Sequence, residues 1–364
     1  MSKKLYWNIN NILSFNARYN MVIGERSNGK TYGCLQYGLE RYFKDGSRIA
    51  IIRRWEEDFR NKTASTMFDG LIHNRVIEKL SRGKWTSVKY ESHRWYLTRT
   101  VTTSDGKTET YIDDEPFAYA FALSSEEHYK SSSYPSIRVV IFDEFLTRNV
   151  YLNDEFIMFT SVLSTIIRLR DDVIIFMLGN TVNQYSPYFK EMGIKNIAKM
   201  ERGKIDLYTY GDSGLRVAVE FSDFPTEKKK SNVYFAFNNP KLEMIRTGAW
   251  EFDIYPHLPV KYKPKNVIYT YFIEFDNSIL QCEIINVDDL TFTYIHRKTS
   301  PIREDEENIV YSQISNPKPN YRKKITKPMS QMEKCIVSFF QRDKVFYQDN
   351  EIGEIVRNYI AWCK

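Results

Sequence analysis

Residues 20–31 read Asn20-Met21-Val22-Ile23-Gly24-Glu25-Arg26-Ser27-Asn28-Gly29-Lys30-Thr31. A short apolar run ends in glycine, a polar loop follows, and a second glycine precedes a lysine and a hydroxyl. From Gly24 onward the stretch fits G-x-x-x-x-G-K-[ST] at every fixed position, the loop that cradles nucleotide phosphates. Gly24 and Gly29 remove the Cβ atoms that would block a backbone curled around a phosphate. The amides of Glu25, Arg26, Ser27 and Asn28 then point inward, and the start of a helix adds its positive end. Lys30 supplies fixed charge for the β- and γ-phosphates of ATP, and Thr31 offers a hydroxyl to Mg²⁺. A glycine-bearing turn without a ligand would account for the pattern alone. It would not account for its place between an apolar run and a helical one.

The rhythm on either side sets the fold class. Lys30 to Phe43 carries apolar residues at Tyr32, Leu35, Leu39, Tyr42 and Phe43, which is a helical period, and Lys44-Asp45-Gly46 stops it. Ser47 to Arg54 reads as a second strand, so the unit is strand–helix–strand and implies a parallel sheet. In residues 85–122 the stretch Tyr96–Ile112 reads as two β-rich runs around Ser104-Asp105-Gly106, a hairpin inserted on the sheet. Ile137 to Phe142 and Val173 to Leu178 are further buried strands. Between them Asn153 is placed to cap a helix running to about Arg170. The α/β pattern fades near residue 205, and Gly211, Gly214, Pro225 and Glu227-Lys228-Lys229-Lys230-Ser231 read as a linker. From about 266 three strands form a meander, with turns at Asp276-Asn277-Ser278 and Asn286 to Asp289, and helices follow at Gln331–Arg342 and Ile352–Trp362. The expected division is an α/β domain over 1–205, a connecting segment over 206–235 and a smaller α+β domain over 236–364.

Val139-Val140-Ile141-Phe142-Asp143-Glu144 supplies the second half of a nucleotide site. An apolar strand delivers two acids to its carboxyl end, where open α/β sheets bind ligands. Asp143 is the expected Mg²⁺ holder and Glu144 the residue that orients the attacking water, which favours hydrolysis over binding alone. The strand ending at Gly179-Asn180 presents Asn180 as a γ-phosphate or water contact, or as a plain turn residue. Arg168 and Arg170 close a helix, where they either only complement the dipole as cations or supply an arginine finger. Arg26 in the loop is either functional or merely solvated, and Arg53 and Arg54 at the end of the second strand point either toward the nucleotide or along the sheet edge.

The 364-residue chain is 42% hydrophobic and carries a net charge of +6, enough for a large core and inconsistent with wholesale disorder. No apolar run reaches the length of a membrane span, and the start lacks a signal-peptide core. Four cysteines and five histidines are dispersed, so no structural zinc is expected. The basic clusters Lys228-Lys229-Lys230 and Lys318, Arg322, Lys323, Lys324, Lys327, with Lys130 on a serine-rich loop, are candidate nucleic-acid contacts; a solvated loop is the plainer account of each. Glu274, Asp276, Asp349, Glu351 and Glu354 are the carboxylates from which a two-metal nuclease would have to be built.

These pieces, in this order, resemble the φ29-type phage DNA-packaging ATPases. The likeness rests on Tyr6-Trp7-Asn8, the loop from Val22 to Thr31, Ile52-Arg53-Arg54-Trp55, Tyr134-Pro135, Val140 to Phe145, Arg168-Leu169-Arg170 and Gly179-Asn180-Thr181-Val182. It covers residues 1 to about 205 well and the remainder in layout. It implies an ASCE-type P-loop ATPase core using ATP and Mg²⁺. It also implies a ring of five subunits on the portal of an empty capsid, translocation of double-stranded DNA, and action in the host cytoplasm on the procapsid; a scaffold RNA is compatible with it. By the same resemblance Arg26 takes a phosphate-loop arginine position, Arg168 a trans-acting finger position, and residues 236–364 a degenerate RNase H-like nuclease fold. Where the family carries a second trans-acting basic residue, this chain has Glu56 followed by Glu57.

Overall fold

The run Tyr19–Gly24, apolar on both faces, becomes the strand β1 of a parallel sheet, as covered parallel strands require. The computed structural model describes residues 7–26, 28–147, 151–181, 184–222, 255–288 and 290–363. They fall into two units, Met1–Trp250 and Glu251–Lys364. In the first, helix α1 (Ile9–Leu13) precedes β1, α2 (Lys30–Asp45) and β2 (Arg48–Arg53). Short helices α3 (Asn61–Ala64), α4 (Asp69–His73) and α5 (Val76–Leu80) lead to β3 (Ser87–Glu91), β4 (Arg94–Thr102), β5 (Thr108–Ile112) and β6 (Ala118–Ala122). The unit continues through β7 (Ile137–Asp143), α6 (Glu155–Ile167), β8 (Ile174–Asn180), α7 (Pro187–Glu191), β9 (Ile205–Tyr210) and β10 (Leu215–Phe221).

The sheet runs β3-β4-β6-β2-β7-β8-β1-β10-β9, with β5 hydrogen-bonded to β4. Its six central strands, β6 to β10 in that order, are parallel. The carboxyl ends of β1, β7 and β8 lie side by side, because Gly24 pairs with Asn180 and Asp143 with Leu178. Helix α2 covers the sheet closely: a Cβ on Gly38 would stand 2.6 Å from Ile49. It ends where Gly46 enters the left-handed region at φ 72° and its amide bonds to the Tyr42 carbonyl.

Three expectations need correction. Residues 85–122 are not wholly an inserted hairpin: β4 and β5 form it, but β6 pairs in parallel with β2 inside the main sheet. Its alternation of alanines with aromatics carries little strand signal. The fading of the α/β pattern at 205 is also wrong, since β9 and β10 complete the sheet and β10 pairs with β1. Gly211 and Gly214, at φ 52° and 63°, turn that hairpin and do not mark a linker. Residues 223–235 and the expected boundary at 236 lie outside the described residues. Finally, α6 begins at Glu155 without an Asn153 cap and ends at Ile167, with Arg168 already left-handed at φ 53°.

In the second unit the meander appears as read, with β11 (Val267–Phe275), β12 (Ser278–Val287) and β13 (Leu290–Arg297) antiparallel. Asp276 and Asn277 take φ 47° and 63°, which suits a two-residue hairpin turn. Three short parallel strands, β14 (Val310–Ser312), β15 (Tyr321–Arg322) and β16 (Val345–Tyr347), extend the sheet to β15-β14-β11-β12-β13-β16. Helices α8 (Gln331–Gln341) and α9 (Asn350–Trp362) start on Ser330 and Asp349, whose side chains accept from the Glu333 and Ile352 amides. Asp349 is therefore a cap, Glu351 pairs with Arg297, and Glu354 is buried against Tyr255 and Arg357. Among the described residues no group of three or more His, Cys, Asp or Glu is placed to hold a metal, and no helix is long and apolar enough to cross a membrane.

Candidate nucleotide-binding site

The loop from Gly24 is tied down from behind. Asn28 donates to Ser222 Oγ at 2.8 Å, and its Oδ1 accepts from the Lys30 amide at 3.3 Å. A Cβ on Gly24 would stand 2.1 Å from Ser222 Oγ, so only glycine fits there. Trp7 adds a second anchor, donating its backbone N–H to the Asn28 carbonyl and its indole N–H to Glu220 Oε1. Burial pushes the Glu220 carboxyl up to about 7. Gly29 sits at φ 90° directly before α2, which aims the helix amides at the loop. Glu25 pairs with Arg202 at 3.0 Å on the outer side. Ser27 lies outside the described residues.

Lys30 is folded back onto the loop. Its Nζ donates to the carbonyls of Glu25 at 2.6 Å and Gly24 at 3.4 Å, and to Asn180 Oδ1 at 3.5 Å. Burial lowers its ammonium to about 8, against the opposing pull of Asp143 and Glu25. A phosphate beside it favours the charged form, so binding takes up a proton when the pH stands above about 8. Nucleotide affinity is therefore expected to hold steady below about pH 8 and to fall above it, by up to about tenfold per pH unit. Titration of a fluorescent nucleotide at about pH 7, 8 and 9 checks this; an unchanged affinity across the series contradicts it.

Thr31 and Asp143 meet as expected: the hydroxyl donates to Asp143 Oδ1 at 3.0 Å across 112 residues of chain. Both are hard oxygen donors of the kind that hold Mg²⁺ with water completing its shell, so the residues present fit that ion. Glu144 follows at φ 61°, with its side chain largely solvent-exposed and lining the same cleft. The cleft encloses about 770 Å³ and is walled by Arg26, Lys30, Thr31, Asp143, Glu144 and Asn180 among others. Arg26, Asn28, Gly29, Lys30, Thr31, Asp143, Glu144 and Asn180 thus converge on one opening, while Gly24 and Glu25 do not line it.

Two arginines that the sequence left ambiguous also belong here. Arg53 Nη2 lies 2.6 Å from Asp143 Oδ2, and its Nη1 3.6 Å from Glu144 Oε2. Arg54 turns inward instead. It makes a bidentate pair with buried Glu155, at 2.7 and 2.8 Å, and donates to the Phe145 carbonyl at 2.8 Å and the Glu144 carbonyl at 3.4 Å. Tyr188 and the Leu152 amide complete the Glu155 carboxylate at 2.8 Å each. This network fixes the turn that points Glu144 into the cleft. Glu155→Gln leaves Arg54 buried and uncompensated, and is expected to cost about 3–5 kcal/mol of stability. A denaturant melt reads it; a loss below about 1 kcal/mol contradicts a structural pair.

Other expected contacts fall elsewhere. Arg168 is exposed and does not line the cleft of its own chain; its Nη2 donates to the Ser132 carbonyl at 2.8 Å. Arg170 is structural, donating to the carbonyls of Tyr134, Pro135, Ile137, Ile166 and Ile167. Lys130 is engaged by Glu126 and Glu127. Arg322 is held by buried Glu333 at 2.9 Å, so it braces α8 and is not a free cation for nucleic acid. Lys323 lies over the Trp362 ring, and Lys318 donates to the Glu304 carbonyl. Lys228, Lys229 and Lys230 lie outside the described residues.

The chain is similar to known proteins in sequence and in fold. The model of the podovirus DNA encapsidation protein (Gp16) family matches residues 1–239. The DNA packaging protein of Bacillus phage phi29 is 25% identical over 234 residues, covering 64% of this chain and 61% of that protein. The chain thus spans less than two thirds of that relative's length. The DNA packaging protein of Bacillus phage B103 is 25% identical over 269 residues, covering 66% and 76%. In fold, the chain is similar to the bacteriophage Phi-29 viral genome packaging motor assembly, with a TM-score of 0.57 at 20% identity over 99% of this chain and 98% of the other. It is likewise similar to the Phi-28 gp11 DNA packaging motor, with a TM-score of 0.54 at 18% identity over 100% and 99%.

Proposed function

The chain belongs to the podovirus DNA encapsidation protein (Gp16) family, and on that premise we propose that it is an ATP-hydrolysing motor that drives double-stranded DNA through a portal into an empty capsid. The observation that carries the reading is the convergence of Lys30, Thr31, Asp143, Glu144 and Asn180 on one cleft at the carboxyl ends of β1, β7 and β8. The loop amides and Lys30 hold the β- and γ-phosphates. Thr31 and Asp143 hold Mg²⁺, which when bound supplies charge to the phosphate oxygens. Glu144 orients and polarises the attacking water, and its exposure leaves room for one. Asn180 is within reach of Lys30 and of the γ-phosphate end of the loop.

Arg168 acts on the cleft of a neighbouring subunit in this reading. Its exposure and its absence from the lining of its own cleft support an outward role. The turn it stands on is rigid, since Arg170 gathers five carbonyls beneath it. Ring assembly, five subunits, the portal and a scaffold RNA are carried by family resemblance. The second unit takes a degenerate RNase H-like role in nucleic-acid contact. A meander extended by parallel strands supports the fold, and the dispersal of Asp276, Asp349, Glu351 and Glu354 into turn, cap and ion pairs supports the loss of cutting. The test is displacement of a triplex-forming strand from linear duplex DNA by the chain on its portal with ATP. ATP-dependent stripping is expected, and no stripping with ATP, or stripping that proceeds equally without it, sinks the reading.

A further inference from the structure

The proposed metal holder already has a cation on it. Strands β2 and β7 are neighbours, and the pairing of Ile52 with Phe142 sets Arg53 beside Asp143. One carboxylate oxygen of Asp143 accepts the Thr31 hydroxyl at 3.0 Å; the other meets Arg53 Nη2 at 2.6 Å. The same guanidinium reaches Glu144 at 3.6 Å. We propose that Arg53 is a positioning residue that holds the place of the metal: it neutralises Asp143 and Glu144 while the cleft is empty, and metal entry displaces it toward the phosphates. This rests on the nucleotide-site reading above.

The contrast with Arg54 supports the assignment. Arg54 is locked by the buried Glu155 carboxylate and by two backbone carbonyls, not by the side chains of Asp143 and Glu144. Among the described residues the hydrogen-bond and ion-pair partners of Arg53 are the two acids of the site, and its buried Nε has no hydrogen-bond partner. A guanidinium held mainly by ligands that a divalent ion would claim is poised to leave. Two cations on one carboxylate in a half-closed cleft repel strongly, so the ion and Arg53 exclude each other at Asp143. Arg53 lines the same cleft as Lys30 and Arg26, so the freed guanidinium stays within reach of phosphate oxygens. Metal binding and phosphate capture thereby become one event.

The experiment is Mn²⁺ binding to the nucleotide-free full chain, read by electron paramagnetic resonance. Arg53→Gln is expected to bind Mn²⁺ at least about tenfold more tightly than the unaltered chain, because the competing cation is gone. Arg53→Lys, which keeps one charge but cannot span both acids, is expected to fall between the two. Unchanged or weaker Mn²⁺ affinity in Arg53→Gln overturns the proposal; if that variant does not fold, Arg53→Lys no tighter than the unaltered chain does so. Asp143→Asn separates this from the underlying reading. If Mn²⁺ binds the Asp143→Asn chain as well as the unaltered one, the metal site itself is misplaced.

Discussion

Lys30→Ala is expected to abolish ATP turnover while the fold survives. The ammonium is kept in a nearly closed loop, 6% exposed, with two carbonyls and one amide oxygen as its partners. Burial works against its charge, and lowers it to about 8. A cation held against its own desolvation stabilises an anion that arrives there far more than one in water does, and that stabilisation grows as charge develops in the transition state. Its loss is expected to cost a factor of about a thousand or more in turnover. Alanine is the best helix former and Lys30 begins α2, so the melting temperature should stay near that of the unaltered chain. Phosphate release and a thermal melt on the same preparation decide. Turnover within about tenfold of normal in a folded variant removes Lys30 from the phosphate site.

Glu144→Gln and Arg168→Ala are each expected to reduce turnover by about a thousandfold or more while ATP still binds. The first keeps the shape of the turn at φ 61° but removes the carboxylate proposed to orient water. The second leaves the cleft of its own chain untouched, since Arg168 does not line it. Mixing separates the two roles. A Glu144→Gln subunit retains Arg168 and can lend it to the intact cleft of an Arg168→Ala neighbour, so mixed rings should recover part of the activity. If Arg168 serves only to end α6, its removal shifts stability by about 0.3–1 kcal/mol and leaves turnover near normal. Zero recovery in rings shown to contain both variants would contradict a role across the subunit boundary.

The parts of the site legible in the sequence are those whose geometry is local. Gly24 to Thr31 specify a loop between a strand and a helix through their own backbone requirements. Asp143 and Glu144 announce themselves by ending an apolar run. Arg53 and Arg54 stood in plain view at the end of a strand, but their partners are set by strand order and by a helix that begins far along the chain. Glu155 is 101 residues from Arg54, and nothing near either residue points to the other. The same holds for β10, whose partner β1 lies at the opposite end of the unit; two glycines and a lysine run made its neighbourhood look like a linker. The basic residues show the same limit. The ion pairs of Arg322 with Glu333 and of Lys130 with Glu126 and Glu127 are not legible in the stretches that read as candidate phosphate contacts. The strands β14, β15 and β16 are two or three residues long, too short for any period to show.

Phosphate release from Mg²⁺-ATP by the purified full chain, with and without duplex DNA, tests the central claim most directly. A DNA-driving motor is expected to hydrolyse ATP and to do so several-fold faster on duplex than on single strands, with both rates lost in Glu144→Gln. Hydrolysis absent under all conditions, or present and unchanged in Glu144→Gln, would contradict it.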